Sequence, residues 1–476
     1  MTDTFVVIGG DAAGMSAASK AKRDDPDLEV DVFETGEWVS YGACGLPYYV
    51  KGEIQSLEAL VSVTPEEFRE ERDIDLRTGH EVVGIDPDER TVTVERVADG
   101  TTLEQAYDHL LLATGAEAVV PSIEGTDLEG VYTLGSMSDG KELREYVARA
   151  REKESFQQPD RGPACRYLED CAGRVAVVGG GYVGIEMAEA LAANAFEVTL
   201  FQRGERPLTG FSEATSEAVA DHLRERDVDV RLGTEVRELV AGEDSETVAA
   251  IVTADERVPV EMVLLGTGVR PRTALAEDAG IDIGPTGAIA TDAYRETNVP
   301  DVYAAGDCAE ATHTVTGEPV YAPLALTANR HGRAVGQTVA GTPSEGGTVA
   351  GTAAVKAFEV EAARTGILDH AEGREAGFDP VTETIDANSR AGYYPEGGTV
   401  TVTLTADRET GRLLGASLVS EYGEGAVHRS HAIVAALEES ATVFDLENYD
   451  LAYAPPFNST WDSVLVAAKV LAGNLR

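Results

Sequence analysis

The chain is predicted to be an α/β protein built around two Rossmann-like dinucleotide-binding domains. A buried strand, a glycine turn and a small-residue helix start at Phe5, and the same unit recurs from Arg174. With 476 residues there is room for two to four domains. Hydrophobic residues make up 43% and charged residues 26%, so ordinary buried cores can form and general disorder is excluded.

Phe5-Val6-Val7-Ile8 reads as a fully buried parallel strand, followed by Gly9-Gly10-Asp11-Ala12-Ala13-Gly14 and the helix start Met15-Ser16-Ala17-Ala18. A strand, glycine turn and helix N-terminus present backbone N–H groups and the positive end of a helix dipole to a pyrophosphate. A second strand, Val30-Asp31-Val32-Phe33, ends at Glu34, twenty residues past Gly14, where a carboxylate accepts hydrogen bonds from a ribose. Asp11 fills the second glycine position of the usual fingerprint and adds a carboxylate near the phosphates.

The second unit is complete. Arg174 to Val178 leads into Gly179-Gly180-Gly181-Tyr182-Val183-Gly184, a helix through Glu186 to Ala193, and a strand from Glu197 to Phe201. At its ribose-reading end stand Gln202, Arg203 and Arg206. A neutral residue and a guanidinium suit a 2′-phosphate, so NADPH is expected over NADH, with NADH possible; Arg203 also reads as a solvated loop charge.

The 84 acidic residues against 38 basic ones give a formal net charge of −46, which makes nucleic acid a poor partner. The acid is dispersed and only seven basic residues are lysine, a composition suited to concentrated salt and a halophilic source. No apolar run is long enough to span a membrane and no leader precedes the first strand, so a cytoplasmic protein without a membrane partner is expected. The four cysteines, at 44, 165, 171 and 308, are too scattered for a disulfide scaffold, and no metal-ligand spacing is present.

Tyr107 to Ala116, containing Ala113-Thr114-Gly115, and Met262 to Pro271, containing Gly268, each read as a buried strand ending in a small glycine turn where the chain crosses between the nucleotide domains. Val302 to Cys308 ends another strand at Gly306-Asp307. In this order the elements resemble the FAD-dependent pyridine nucleotide-disulfide oxidoreductases. That resemblance implies FAD at Gly9, Gly10, Ala13, Gly14, Glu34, Ala113, Thr114, Gly115, Gly306 and Asp307. It places the nicotinamide cofactor at Gly179, Gly181, Tyr182, Gly184, Glu186, Gln202, Arg203 and Gly268. It also implies a discontinuous FAD domain (1–117 and 269–325), an NAD(P) domain (118–268, with an insertion near 151–172) and a C-terminal α+β dimerisation domain (326–476), hence a homodimer.

Ser40-Tyr41-Gly42-Ala43-Cys44-Gly45-Leu46-Pro47-Tyr48-Tyr49 carries the expected chemistry. Pro47 suits the first turn of a helix, which puts Cys44 near a helix N-terminus and predicts a low thiol pKa. Two-cysteine relatives have a second cysteine five positions on, where this chain has Tyr49. Oxidised Cys44 is therefore expected as a mixed disulfide with a small thiol or as a sulfenic acid. The pattern resembles the single-cysteine coenzyme A-disulfide reductases and their NADH oxidase relatives.

In that subgroup, tyrosines from Gly392-Tyr393-Tyr394-Pro395 and Leu451 to Phe457 reach the redox cysteine of the other subunit. The resemblance assigns this to Tyr453, and to Tyr394 in preference to Tyr393, as proton donors to a departing thiolate. Candidate contacts for a small disulfide, coenzyme A disulfide first, are Ser40, Lys22, Arg23, Asn329, Arg330 and Arg333, with Lys20 in the same basic cluster; the charged ones also read as solvated helix faces. The implied activity passes electrons from NAD(P)H through FAD to Cys44 and on to that disulfide. The alternatives are an NAD(P)H oxidase cycling Cys44 through sulfenic acid and a polysulfide or persulfide reductase.

Overall fold

The computed structural model describes residues 3–152, 173–243 and 245–476. Cys165 and Cys171, and with them all but the edge of the expected insertion, lie outside the described residues; the helix Met137–Glu152 runs up to that edge.

The first sheet is all parallel, in the order Val302–Ala304, His109–Leu112, Thr4–Ile8, Glu29–Glu34, Asp75–Thr78. The second repeats it with Asp229–Arg231, Phe196–Phe201, Gly173–Val178, Met262–Leu265 and Val131–Tyr132. Both central strands are Val/Ile/Ala runs buried on both faces, as a sheet covered by crossover helices requires. Three helices carry the candidate site residues: α1 (Ala12–Asp24) follows the first glycine turn, α2 (Leu46–Lys51) follows Cys44, and α3 (Tyr182–Ala193) follows the second glycine turn.

The two turns are superposable in their bonding. Gly9 N–H donates to Phe33 O and Gly179 N–H to Phe201 O, each at 2.8 Å, and both glycines sit at φ 110°. Gly14 and Gly184 then press onto the carbonyls of Gly9 and Gly179, where any Cβ would collide. The glycine spacing is thus a requirement of helix-on-turn packing.

The crossings pair with each other, Ala116–Ala118 lying antiparallel to Val269–Pro271. We propose the domain boundaries at 117/118 and 268/269, within this ribbon. The boundary expected at 325/326 would divide a packed pair of helices. Helix α4 (Ala325–Val339) packs on α1, with Gly332 and Gly336 seated on the carbonyls of Ala13 and Ala17. We therefore propose that the C-terminal domain begins after α4, near the strand Ala353–Ala357. That domain is a five-stranded antiparallel sheet, with Leu413–Glu421 between Val360–Gly366 and Thr399–Asp407, packed against α5 (Ala426–Glu438) and α6 (Ser463–Leu475). Val400, Val402, Leu404 and Ala406 alternate into its core.

One buried carboxylate joins all three parts. Glu189 on α3, with 3% of its side chain exposed, accepts from Lys51 at 2.6 Å, from Lys356 at 2.9 Å and from Phe358 N–H at 2.7 Å. Burial acts to raise its carboxyl, but the bonds from Lys51, Lys356 and Phe358 outweigh it and hold the group below its ordinary 4.5. Glu189→Ala should cost about 3 kcal/mol in urea unfolding, since it strands the Lys356 ammonium and a backbone N–H and leaves Lys51 with Glu53 alone. The folded carboxyl is the more acidic form, so the wild-type advantage should be complete above pH 4.5 and vanish as the pH falls through the depressed value.

Candidate active site

Cys44 sits in a short 3₁₀ turn, Ala43–Gly45, that leads into α2 with Pro47 in its first turn. The approach is held by Ser40, which adopts φ 48°, donates its N–H to Gly10 O at 3.0 Å and accepts from Ser62 N–H at 2.8 Å. Cys44 is exposed, whereas Cys308, the other described cysteine, is fully buried with its Sγ 3.4 Å from the carbonyls of Leu112 and Ala305. Tyr49 is buried beneath the Arg144 guanidinium, 5.2 Å from its ring centre.

The expected low thiol pKa is corrected. The Cys44 thiol is pushed above its ordinary 9.0, first by desolvation and then by the charges of Glu186, Asp307 and Asp11. The sulfur is accessible from one side, yet the rest of its surroundings are protein and carboxylate, and these outweigh a six-residue helix. The carboxylates themselves are perturbed. Desolvation raises Asp307 to about 6. Asp11 rises to about 6, through desolvation against the Tyr41 N–H bond and with Glu34 adding to the rise. Glu186 rises to about 7 by desolvation, although Tyr48 donates to it at 3.0 Å.

The predicted dinucleotide sites have the donors they need. Helices α1 and α3 begin at Asp11 and Gly181 without any side-chain cap, so their first N–H groups are left to a ligand, whereas the helix Pro65–Glu71 is closed by the Thr64 and Glu67 side chains. A Cβ at Gly181 would meet nothing within 4 Å. Glu34 accepts from Gly10 and Gly36 N–H, both at 2.7 Å, at the edge of the first turn. Thr114 donates to Arg272 O at 2.8 Å where the chain crosses. The Tyr321 hydroxyl is buried without a partner and lies in the field of Asp307 and Cys308. An uncapped helix end beside an orphaned hydroxyl and a half-buried Asp307 fits a bound FAD.

Gln202 repeats the position of Glu34, accepting from Gly180 N–H at 3.0 Å, while Arg203 is exposed and Gly268 lies in the crossing turn at φ 106°. Tyr182 is half-buried at the start of α3, edge-on to Phe211 at 5.8 Å.

Lys22 departs from the expected substrate contacts. Its ammonium is used up on the carbonyls of Pro26 and Leu28, both at 2.9 Å, and on Asp73 at 2.8 Å. Lys20 is likewise paired with Asp24 at 2.6 Å. Arg23 and Arg333 are exposed, Arg330 is half-buried, and Asn329 bridges Ser16 and Ala325 O. The Tyr453 hydroxyl shares a hydrogen bond with that of Tyr393, at 3.0 Å, and the neighbouring Tyr394 is also exposed. Sequence reasoning missed Tyr48, Glu189 and Tyr321. The rarity of lysine was the available signal for Glu189, because two of the seven lysines converge on it.

The sequence pattern of the pyridine nucleotide-disulphide oxidoreductases matches residues 3–332, and that of their dimerisation domain matches 352–464. The chain belongs to this family. It is similar to the NAD(P)H coenzyme A polysulfide/persulfide reductase of Pyrococcus horikoshii, 38% identical over 99% of both chains. It is also similar to the coenzyme A disulfide reductase of Staphylococcus haemolyticus, 28% identical over 97% of both. A solved structure, the NAD-dependent persulfide reductase from A. fulgidus, matches with a TM-score of 0.90 and 34% identity, over 99% of this chain and 83% of that one. As a member of the family the chain is an FAD- and NAD(P)H-dependent oxidoreductase carrying a dimerisation domain. Among the described residues no helix is long and apolar enough to cross a membrane.

Because the Glu186 charge raises the Cys44 thiol, Glu186→Gln should move the alkylation of Cys44 by iodoacetamide to lower pH, by up to about one unit. Mass spectrometry of the Cys44 peptide across a pH series reads this directly, and an unmoved midpoint would remove Glu186 from the sulfur's environment.

Proposed function

We propose that the chain is an NAD(P)H-dependent persulfide or polysulfide reductase in which Cys44 is the sole redox sulfur. The supporting observation is the exposed Cys44, which has no disulfide partner among the described residues. The similarity to persulfide reductases along nearly the whole chain favours the same reading over coenzyme A disulfide.

FAD supplies the two-electron link between nicotinamide and sulfur. In the proposed cycle the Cys44 thiolate attacks a persulfide RSSH at the sulfur bearing R, forming Cys44–S–S–R and releasing HS⁻, which takes up a proton. Two electrons and a proton then return Cys44 to the thiolate and release RSH, so the sum is RSSH + NAD(P)H + H⁺ → RSH + H₂S + NAD(P)⁺. Ser40 and α2 hold Cys44 in place, Glu186 and Tyr48 set the charge around it, and Tyr453 with its bonded neighbour Tyr393 supplies protons to leaving thiolates of a partner subunit. Arg23, Arg330, Arg333 and Asn329 remain the contacts for a coenzyme A moiety, whether as persulfide carrier or, in the second reading, as the disulfide itself.

Anaerobic turnover should release one sulfide per NAD(P)H oxidised with coenzyme A persulfide, and Cys44→Ser should lower that rate at least about 10³-fold. Faster turnover of coenzyme A disulfide would move the assignment to the second reading. Oxygen uptake exceeding both would move it to an oxidase. For the nicotinamide, NADPH should be preferred, and Arg203→Glu should cut the ratio of NADPH to NADH kcat/KM about tenfold or more. A ratio that the substitution leaves alone would make Arg203 a solvated charge.

A further inference from the structure

Tyr393 and Tyr453 stand on different loops, with 75% and 44% of their surfaces exposed, and neither loop has regular structure to fix it. Their hydroxyls nevertheless meet at 3.0 Å. Behind them lies a guanidinium that plays no part in the reading above. Arg429 on α5, with 11% of its side chain exposed, donates Nε to Asp462 Oδ2 at 2.9 Å, Nη2 to Ser389 O at 2.8 Å and to Phe457 O at 3.0 Å, and Nη1 to Glu424 O at 2.5 Å. Ser389 opens the loop that carries Tyr393, and Phe457 and Asp462 belong to the loop that carries Tyr453.

The neighbours extend the tie. Asn458 donates to Ala452 O at 2.6 Å, next to Tyr453, and Ala391 N–H reaches Pro455 O at 3.3 Å between the loops. Glu424 accepts from Ser389, Arg390 and Gly398 N–H on the Tyr393 side. We propose that Arg429 is the positioning residue of the tyrosine pair, one buried guanidinium that sets two loops against each other so that Tyr393 and Tyr453 share a hydrogen bond. Only a planar five-donor fork can span these acceptors, so lysine is not a conservative replacement. Either hydroxyl can donate in this bond, so the two phenols act as one coupled pair. The inference rests on the assignment of these tyrosines to proton delivery.

The test is a double-mutant cycle on the holoenzyme dimer, with coenzyme A persulfide as the probe and sedimentation to confirm the dimer. Arg429→Lys and Arg429→Gln should each lower kcat about 10- to 100-fold while leaving anaerobic bleaching of the flavin by NAD(P)H within about twofold. In a Tyr453→Phe background the same substitutions should cause no further loss. Ultraviolet titration should show the tyrosine titration curve of the wild type changing in Arg429→Lys, and no such change when Arg429→Lys is made in the Tyr453→Phe background. Asp462→Asn, which keeps an oxygen for the α6 cap while turning an N–H toward Arg429, replaces Arg429→Gln if that variant does not fold. Equal losses with and without Tyr453, or no loss at all, would overturn the positioning role. Full activity of Tyr453→Phe alone would instead sink the tyrosine assignment, and the inference with it.

Discussion

Glu189 is bonded from three parts of the chain at once, and the geometry around Cys44 depends on it. Helix α2 has six residues, too few for its own hydrogen bonds to hold it. Its direction comes from burial of Leu46, Tyr49 and Val50, from Asn194 donating to Lys51 O at 3.2 Å, and from the Lys51 ammonium on Glu189. A buried ion pair adds little net stability, because desolvation offsets most of the attraction. What it adds here is position. Lys51 ends the cysteine helix, Glu189 lies one turn beyond Glu186, and Lys356 and Phe358 N–H belong to the first strand of the C-terminal sheet and the turn after it. Cys44, the second nucleotide site and the dimerisation domain are therefore referenced to a single carboxylate.

A chain of net charge −46 that must bind anionic dinucleotides faces an electrostatic conflict. Five of the six described lysines do not resolve it; Lys141, on the helix Met137–Glu152, is exposed. Lys20 and Lys22 are paired with Asp24 and Asp73, Lys51 and Lys356 with Glu189, and Lys469 lies 3.8 Å from the Trp461 ring centre. The resources left are fixed dipoles and arginines, and both glycine turns expose uncapped helix ends to the ligand. Local backbone donors act at hydrogen-bond distance and are barely screened by salt, whereas the surface charge is. The acidic surface and the anion sites can therefore coexist.

Both glycine turns, their strands and the Cys44 segment were legible in the sequence because their causes are local. Gly9 and Gly14 are demanded by a helix pressed onto its own turn, and that demand is written at fixed spacing. The shift of the Cys44 thiol was not legible, since it comes first from burial by the folded chain and then from Glu186, on a helix more than a hundred residues away. Lys22 looked free because Asp73 is remote in sequence. The place of α4 was encoded, in Gly332 and Gly336 facing Ala13 and Ala17, but as a match between two distant stripes that neither segment shows by itself. The Tyr393–Tyr453 bond has no sequence signature at all. It follows from where Arg429 draws two irregular loops together.

The duplicated turns isolate what distinguishes the two nucleotide sites. Gly10 N–H donates to Glu34 at 2.7 Å and Gly180 N–H to Gln202 at 3.0 Å, at equivalent ends of equivalent strands. The backbone cannot tell the two side chains apart, because each offers one oxygen to the same donor. The difference is charge. Glu34 gives its second oxygen to Gly36 N–H and keeps further lone pairs, whereas the neutral Gln202 directs its amide to Arg206 O at 3.2 Å. Substitution at one position of an otherwise repeated frame thus changes the charge held at that end of the turn without disturbing the turn.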